Sequence, residues 1–119
     1  MKIKKTNKKV EKNKIKSPYE EIKAGVVAVD SGSILITDPC YIDAEWVNEE
    51  ESTKPKNNFS YPTCCEKTLG GSFGQLNFKV GHPGVGVVTT SGYGDGTYPV
   101  FVKVEKESGR VKEIRVEFF

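Results

Sequence analysis

The amino-acid sequence predicts a mainly β protein, a small antiparallel and hairpin-rich sandwich or half-open barrel with one short helix. Runs rich in Val, Ile, Thr and aromatic residues recur through the second half of the chain, and glycine-containing turns separate them. The sequence lacks the alternation of strands and helices that is typical of a parallel sheet. With 119 residues, the chain has room for a single hydrophobic core.

The beginning of the sequence differs in composition from the rest. Residues 1–17 contain eight lysines and one acid, Glu11, which gives a net charge of +7 without a sustained apolar stripe. We therefore expect residues 1–18 to form a disordered basic arm and residues 19–119 to form a single β domain. The other residues carry ten basic and fifteen acidic side chains, a net charge of −5. This acidic balance argues against nucleic-acid binding by the folded body.

A first hairpin is predicted close to the start of the domain. Residues 25–30 and 33–37 are strand-like runs on either side of Ser31-Gly32. Glycine supplies the positive φ that tight hairpin turns need, so we expect the two runs to pair with each other. Asp38-Pro39 then ends the second strand, because proline lacks the N–H that a strand donates.

The middle of the chain predicts one short helix and one long loop. The helix is expected over residues 43–50, with Asp43 as its N-cap and acidic residues near its positive end. Residues 51–63 contain two prolines and two asparagines and show no periodicity. They are therefore predicted to form a loop, which is long for a domain of this size.

The second half of the sequence predicts the remaining strands. Strand-like runs cover residues 73–80, 85–90, 97–105 and 111–119. In the last two runs, aliphatic and charged residues alternate with a period of two. The aliphatic residues are Val100, Val102 and Val104 in one run, and Ile114 and Val116, followed by Phe118, in the other. We expect Ile114, Val116 and Phe118 to face the core.

Two motifs resemble a known family. The first is Val29-Asp30-Ser31-Gly32 followed by Ile36-Thr37-Asp38-Pro39-Cys40-Tyr41, and the second is Gly94-Asp95-Gly96-Thr97-Tyr98-Pro99-Val100, followed by a turn at Gly109-Arg110 and a last strand. In this order they resemble the domain-of-unknown-function family numbered 4241, which comprises small bacterial and phage-associated β proteins. The resemblance covers roughly residues 24–41 and 85–119. It implies the β fold and carries no activity.

The same two motifs supply the candidate binding residues. Each places a tyrosine three residues after an aspartate, a pairing that offers a fixed acceptor and a flat ring to a small ligand. The candidate ligand-binding residues are Asp38, Tyr41, Trp46, Tyr93, Asp95 and Tyr98. The structural alternative is that Asp38 caps a turn and that the glycines around Tyr93 supply positive φ values to a hairpin loop.

Few residues suit catalysis or metal binding. The sequence has one histidine, two arginines and three cysteines, and it contains no nucleophile elbow, phosphate-binding loop or Cys-x-x-Cys pair. We therefore predict no metal and no cofactor. The enzymatic alternative is a cysteine-dependent enzyme that uses Cys40 with His82.

The leading hypothesis is thus a non-enzymatic binding module that engages a small ligand or a protein partner. The resemblance to phage-associated proteins suggests a role against a host signalling molecule or host protein. An odd number of cysteines fits a reducing compartment, and the sequence has no run of 18 apolar residues. We therefore expect a cytoplasmic protein without a membrane span.

Overall fold

The computed structural model describes residues 17–48 and 59–119, so the predicted basic arm up to residue 16 lies outside the described residues. Contacts between residues divide the described chain into two compact units. The first unit contains residues 17–27 and 98–117, and the second contains residues 28–48, 59–97 and 118–119. The prediction of a single domain over residues 19–119 stays a prediction.

The described ranges are mainly β, as predicted, with six strands and two short helices. In chain order these are β1 (Tyr19–Val29), β2 (Ser33–Thr37), α1 (Tyr41–Ala44), α2 (Tyr61–Lys67), β3 (Phe73–Asn77), β4 (Pro83–Thr90), β5 (Gly96–Glu105) and β6 (Val111–Val116). The strands form two antiparallel, three-stranded sheets with the orders β1-β5-β6 and β2-β4-β3. Neither helix, nor any other within residues 17–48 and 59–119, has the length and apolar character to span a membrane.

The hydrophobic core of the second unit lies on one face of the β2-β4-β3 sheet. Leu35 is paired with Val88, and Leu76 is paired with Gly86, so these residues share that face. The buried cluster comprises Phe59, Cys64, Leu76, Val85 and Val88, and the partly buried Leu35, Tyr41, Trp46 and Phe78 pack against it. The sheet therefore gains its stability from aromatic and aliphatic side chains that α1, α2 and the neighbouring segments supply.

Helix α2 occupies part of the region that the sequence predicts to be a loop. Ser60 is its N-cap, and the Ser60 hydroxyl accepts a hydrogen bond from the Thr63 amide at 3.3 Å. Pro62 stands in the first turn, where its missing N–H would have no helical partner in any case. The loop prediction is thus wrong for residues 61–63, while residues 51–58 lie outside the described part of the chain.

Helix α1 begins two residues earlier than predicted. It starts at Tyr41, so Asp43 belongs to its first turn and is not the N-cap. The Tyr41 amide donates to the Asp38 carbonyl at 3.0 Å, which starts the turn as soon as β2 has ended. The helix ends at Ala44, so the prediction is wrong for residues 45–48, which are not helical, while residues 49 and 50 lie outside the described residues.

The predicted hairpin between the first two strands is wrong. Strand β1 pairs with β5, whereas β2 pairs with β4, so the Ser31-Gly32 turn joins strands of two different sheets. The Gly32 carbonyl accepts hydrogen bonds from the Ser91 amide at 2.8 Å and the Ser91 hydroxyl at 3.2 Å. The turn is therefore held by the end of β4, and β2 is positioned for pairing with that strand.

The last hairpin agrees with the sequence prediction. Gly109 has a φ of 74°, and its amide donates to the Glu105 carbonyl at 2.8 Å, which closes the tight turn between β5 and β6. Val100 lies opposite Val116, and Val102 lies opposite Ile114. Directly opposed residues of an antiparallel pair project on the same side of the sheet, so the predicted aliphatic face is present.

Candidate functional site

Asp38 starts the turn that leads from β2 into α1. Its Oδ1 atom accepts a hydrogen bond from the Cys40 amide at 3.0 Å, while its carbonyl accepts one from the Tyr41 amide. This arrangement is an aspartate-capped turn. Hydrogen bonds from the Cys40 amide and thiol hold the pKa of the Asp38 carboxyl below its ordinary value. The exposed carboxylate therefore serves the local backbone, as the structural alternative expects.

The alternative of a cysteine enzyme requires Cys40 to form a thiolate. Cys40 is exposed, but the hydrogen bond between its thiol and the Asp38 carboxylate raises the pKa of Cys40, and partial desolvation and the negative charge of Asp38 add to the effect. Catalytic cysteines have a lowered pKa because a cation or a helix N-terminus stabilises the thiolate. The surroundings of Cys40 thus favour the neutral thiol, which is a poor nucleophile.

The ring of His82, the second residue of that alternative, lies against Phe78. The two ring centroids are 4.6 Å apart, and the His82 carbonyl accepts a hydrogen bond from the Phe78 amide at 2.9 Å. Within the described ranges 17–48 and 59–119, no three His, Cys, Asp or Glu side chains come together as a metal site would require.

We expect Cys40 to be alkylated slowly at neutral pH and to react faster when Asp38 is replaced by asparagine. Asparagine keeps an oxygen that can accept from the Cys40 amide, but it removes the negative charge that disfavours the thiolate. The measurement is the rate of iodoacetamide labelling against pH, with peptide mass spectrometry to separate Cys40 from Cys65. If the pKa of Cys40 in the unmodified protein lay below the ordinary range of thiols, that result would instead favour the enzymatic alternative.

Two of the aromatic candidates pack on the core of the second unit. The ring of Tyr41 meets the ring of Phe78 edge-on at 5.0 Å between centroids. The ring of Trp46 meets that of Phe59 in the same way at 4.8 Å. Both side chains are half-buried. Much of the surface that a ligand would contact is thus already used in the protein's own packing.

The remaining candidates lie around the β4–β5 connection. Tyr93 is exposed, and its ring lies 5.1 Å from that of Phe119, while Asp95 is exposed two residues later. Gly92 and Gly94, on either side of Tyr93, have φ values of 76° and 88°, as a glycine-dependent turn requires. Tyr98 is buried and belongs to the first unit, whereas the other five candidates belong to the second. A single ligand site formed by all six stays a prediction.

The β1-β5-β6 sheet has one face that carries charged and aromatic side chains, which we call the charged face. Its residues are Tyr19, Glu21, Phe101, Lys103, Glu113 and Arg115. The Arg115 guanidinium lies over the Phe101 ring at 4.5 Å and binds Glu21 through two hydrogen bonds of 2.6 and 3.2 Å. Lys103 pairs with Glu113 at 3.4 Å. Four of the charged side chains on this face are therefore paired within the sheet, as Arg115 with Glu21 and Lys103 with Glu113.

Arg115 is the central residue of the charged face. Besides Glu21, its guanidinium binds Glu117, and the hydrogen bonds to these two carboxylates raise the pKa of Arg115. The same contact lowers the pKa of the Glu21 carboxyl. Because Glu21 stands on β1 and Arg115 on β6, this pair connects the two outer strands across β5. Alternation in β6 indicates from the sequence alone that Arg115 and Glu117 share a side, whereas the pairing of Arg115 with Glu21, 94 residues away, has no local sequence signal.

The opposite side of the same sheet, which we call the apolar face, carries Glu20 by alternation along β1 and, besides it, nine apolar residues. They are Ile22, Ala24 and Val26 of β1, Val100, Val102 and Val104 of β5, and Val111, Ile114 and Val116 of β6. The register between β5 and β6 places the residues of these two strands on the apolar face. The β1 residues lie there as well, because they alternate with Tyr19 and Glu21, which belong to the charged face.

The outer strands of the apolar face include largely exposed residues, whereas Val100, Val102, Val104 and Val116 are half-buried. Val26 is 60 % exposed, and Val111 and Ile114 are each 62 % exposed. Tyr98 is the one buried hydrophobic residue in the described part of the first unit. The expectation that Ile114 faces a core is therefore wrong: its strand has the predicted alternation, but the Ile114 side chain is largely exposed.

Comparison with other proteins identifies a family and no closer relative. No curated protein and no solved structure is significantly similar to this chain. A family model described as "Protein of unknown function (DUF4241)" matches residues 6–116, which include all six strands and all six candidate ligand-binding residues. The chain therefore belongs to this family of proteins of unknown function, as the motifs around Asp38 and Asp95 indicate.

Proposed function

We propose that this chain is a non-enzymatic binding module whose partner is a protein that docks on the apolar face. The observation that carries the proposal is the exposure of Val26, Val111 and Ile114 on a face of nine apolar residues. A sheet normally buries one apolar face against another layer of the fold. Contiguous exposed apolar patches of this kind mark interaction sites.

The two faces of the sheet differ in what they offer to a partner. On the charged face, Arg115 and Lys103 already have carboxylate partners, and such solvent-exposed ion pairs contribute little to stability. On the apolar face, each square ångström removed from water contributes roughly 25 cal/mol. Binding energy is thus available mainly on the apolar face, and the fitting partner is a protein surface with an uncharged, aliphatic or aromatic centre.

The other two functions considered have weaker support. A small-ligand site built around Tyr41 and Trp46 would compete with the contacts of their rings to Phe78 and Phe59. A cysteine enzyme would need a lowered pKa at Cys40, where the carboxylate of Asp38 raises it. A protein-binding role requires neither the loss of these ring contacts nor a lowered pKa at Cys40.

The setting that we propose for this binding is the cytoplasm. All three cysteines are free, and Cys40 and Cys65 are exposed, which suits a reducing compartment. The family resemblance suggests a phage-associated origin. For a protein of that origin, we propose that the partner is a host protein that the apolar face binds and blocks.

A photocrosslinker placed on the two faces of β6 tests the proposal. We expect benzoylphenylalanine at position 114 to form protein adducts in cells, and the same group at position 113 to form several-fold fewer, because adjacent strand residues project to opposite faces. Adding Val26→Lys should remove the adducts from position 114, because the substitution puts an ammonium group on the apolar face. Equal labelling from both positions, or labelling that Val26→Lys leaves intact, would refute the proposal.

A further inference from the structure

The connection between β4 and β5 contains an aspartate that is followed directly by a glycine. Asp95 and Gly96 are both exposed, and Gly96 is the first residue of β5. Within residues 17–48 and 59–119, no hydrogen bond or ion pair holds the Asp95 carboxylate. The preceding Gly94 has a φ of 88°, and a Cβ atom on it would have no neighbour within 4 Å beyond the adjacent residues. The Asp95 side chain therefore has room to turn towards the backbone that follows it.

We propose that Asp95 is a site of spontaneous covalent modification, at which aspartate isomerises to isoaspartate. The Gly96 amide nitrogen attacks Asp95 Cγ, so that a new C–N bond forms while the carboxyl C–OH bond breaks. The amide proton and the hydroxyl group leave as one water molecule, and the product is a five-membered succinimide ring. One water molecule then opens the ring. Cleavage of the bond from nitrogen to Cγ restores aspartate, whereas cleavage of the bond from nitrogen to the Asp95 carbonyl carbon leaves isoaspartate.

The residue after the aspartate decides how readily the ring closes. A side chain on that residue obstructs the approach of its nitrogen to Cγ, and Gly96 has no side chain. Glycine also reaches backbone conformations that other residues avoid. Gly96 stands at the end of its strand, and strand ends open far more readily than strand centres do. The attacking amide can therefore be released from β5 without unfolding of the sheet.

Each of the other three aspartates of the chain lacks one of these conditions. Asp38 is followed by Pro39, which has no N–H, and its carboxylate already accepts a hydrogen bond within its own turn. Asp43 lies in helix α1, where helical geometry fixes the backbone. Asp30 is exposed in a turn, but the next residue is Ser31, which carries a side chain. No asparagine of the chain precedes a glycine, so Asp95 is the favoured position for this chemistry.

The modification changes the shape of the connection and leaves the mass and the net charge of the chain unaltered. Isoaspartate lengthens the backbone by one carbon immediately before β5, and it shortens the acidic side chain by one carbon. Asp95 is one of the candidate ligand-binding residues, so isomerisation would move the carboxylate that such a site would use. The inference is independent of the proposed function, which depends on the apolar face.

Ageing of the purified full chain for several weeks, at physiological temperature and mildly acidic pH, tests the inference. Isoaspartate is quantified by methyl transfer from radiolabelled S-adenosylmethionine with an isoaspartyl methyltransferase, and electron-transfer fragmentation of tryptic peptides locates it. We expect isoaspartate to accumulate at position 95 several-fold faster than at position 30. Gly96→Ala should slow the conversion several-fold. Asp95→Glu keeps the charge but would have to close a six-membered ring, so it should abolish the methylation at this position.

The controls decide whether the folded connection permits the reaction. Conversion of Asp95 in the urea-unfolded chain but not in the folded protein would overturn the inference, because the fold would then protect the site. Equal conversion at positions 30 and 95, or a Gly96→Ala variant that converts as fast as the unmodified protein, would also overturn it. Alanine can adopt the extended conformation of a strand, and both positions are exposed, so we expect both variants to keep the circular dichroism spectrum of the unmodified protein. The crosslinking from position 114 does not involve Asp95, so either result leaves the test of the proposed function unaffected.

Discussion

Replacing Leu76 by alanine is expected to lower the free energy of unfolding of the second unit by about 2–5 kcal/mol. Leu76 is completely buried and belongs to the cluster that contains Phe59, Cys64, Val85 and Val88. Alanine would leave a cavity against a rigid sheet, and the lost transfer energy and the lost contacts would both contribute. This loss is a large part of the 5–15 kcal/mol that stabilises most domains.

Urea unfolding followed by tryptophan fluorescence measures this loss directly. Trp46 is the single tryptophan of the chain, and its ring lies against Phe59 in the same core, so its emission reports the unfolding of this unit. Leu69→Ala is the matched control, because Leu69 is 72 % exposed and should change the stability by less than about 0.5 kcal/mol. Similar losses in the two variants would contradict the position assigned to the core.

Replacing Gly86 by alanine is the second substitution with a large expected effect, a loss of about 1–3 kcal/mol. A Cβ atom at Gly86 would lie 3.0 Å from the Ile36 carbonyl oxygen, 3.4 Å from Leu35 Cδ1 and 3.5 Å from Phe59 Cε1. The nearest of these is backbone of the paired strand β2. Gly86 lies on the central strand β4, between Thr37 and Leu76, so the backbone has little room to move away.

Gly25→Ala is the control for this substitution within a strand. A Cβ atom there would have no neighbour within 4 Å, and the φ of Gly25 is not in the left-handed region. Alanine restricts the unfolded chain more than glycine does, so this change should be neutral or stabilising by up to about 1 kcal/mol. Thermal unfolding followed by far-ultraviolet circular dichroism detects both sheets. A Gly86→Ala variant as stable as Gly25→Ala would contradict the close approach of β2 to β4.

The strands could be predicted because their signals are local. The alternation of Val100, Val102 and Val104 with polar neighbours, and the glycine turn at Gly109, are properties of a few adjacent residues. Strand partners are a different matter, because they depend on residues far apart in sequence. The turn at Ser31-Gly32 has hairpin chemistry, yet β1 is eleven residues long and pairs with β5. Local turn chemistry could not reveal that competing partner.

Helix α2 begins with a local sequence signal that the predicted loop overlooks. Pro62 by itself is typical of a loop, but proline is also well tolerated in the first turn of a helix. Ser60, two residues earlier, is a favourable N-cap. Together the two residues predict a helix start, whereas proline alone predicts a break. Seven residues are also too few for a clear helical periodicity.

The candidate sites show the same division between local and long-range information. The turn formed by Asp38 is local, and the sequence predicts it as the structural alternative to a ligand site. The raised pKa of Cys40 depends on the orientation of one hydrogen bond, which composition does not specify. Alternation in β6 indicates that Ile114 and Val116 share a face, but it does not state what covers that face. Exposure could therefore be learned only from the structure.

The order of the β1-β5-β6 sheet has a consequence for synthesis on the ribosome. Glu21 and Arg115, which join its outer strands, are separated by 94 residues, and β5 lies almost as far along the chain from β1. Residues 33–90, which contain all three strands of the β2-β4-β3 sheet, are made before β5 exists. At roughly 5–20 residues per second, β1 waits several seconds without a strand partner. During that interval Ile22 and Val26 are accessible to chaperones. Pairing β1 with β5 also closes a longer stretch of chain than any pairing in the β2-β4-β3 sheet, so we expect the β1-β5-β6 sheet to form more slowly.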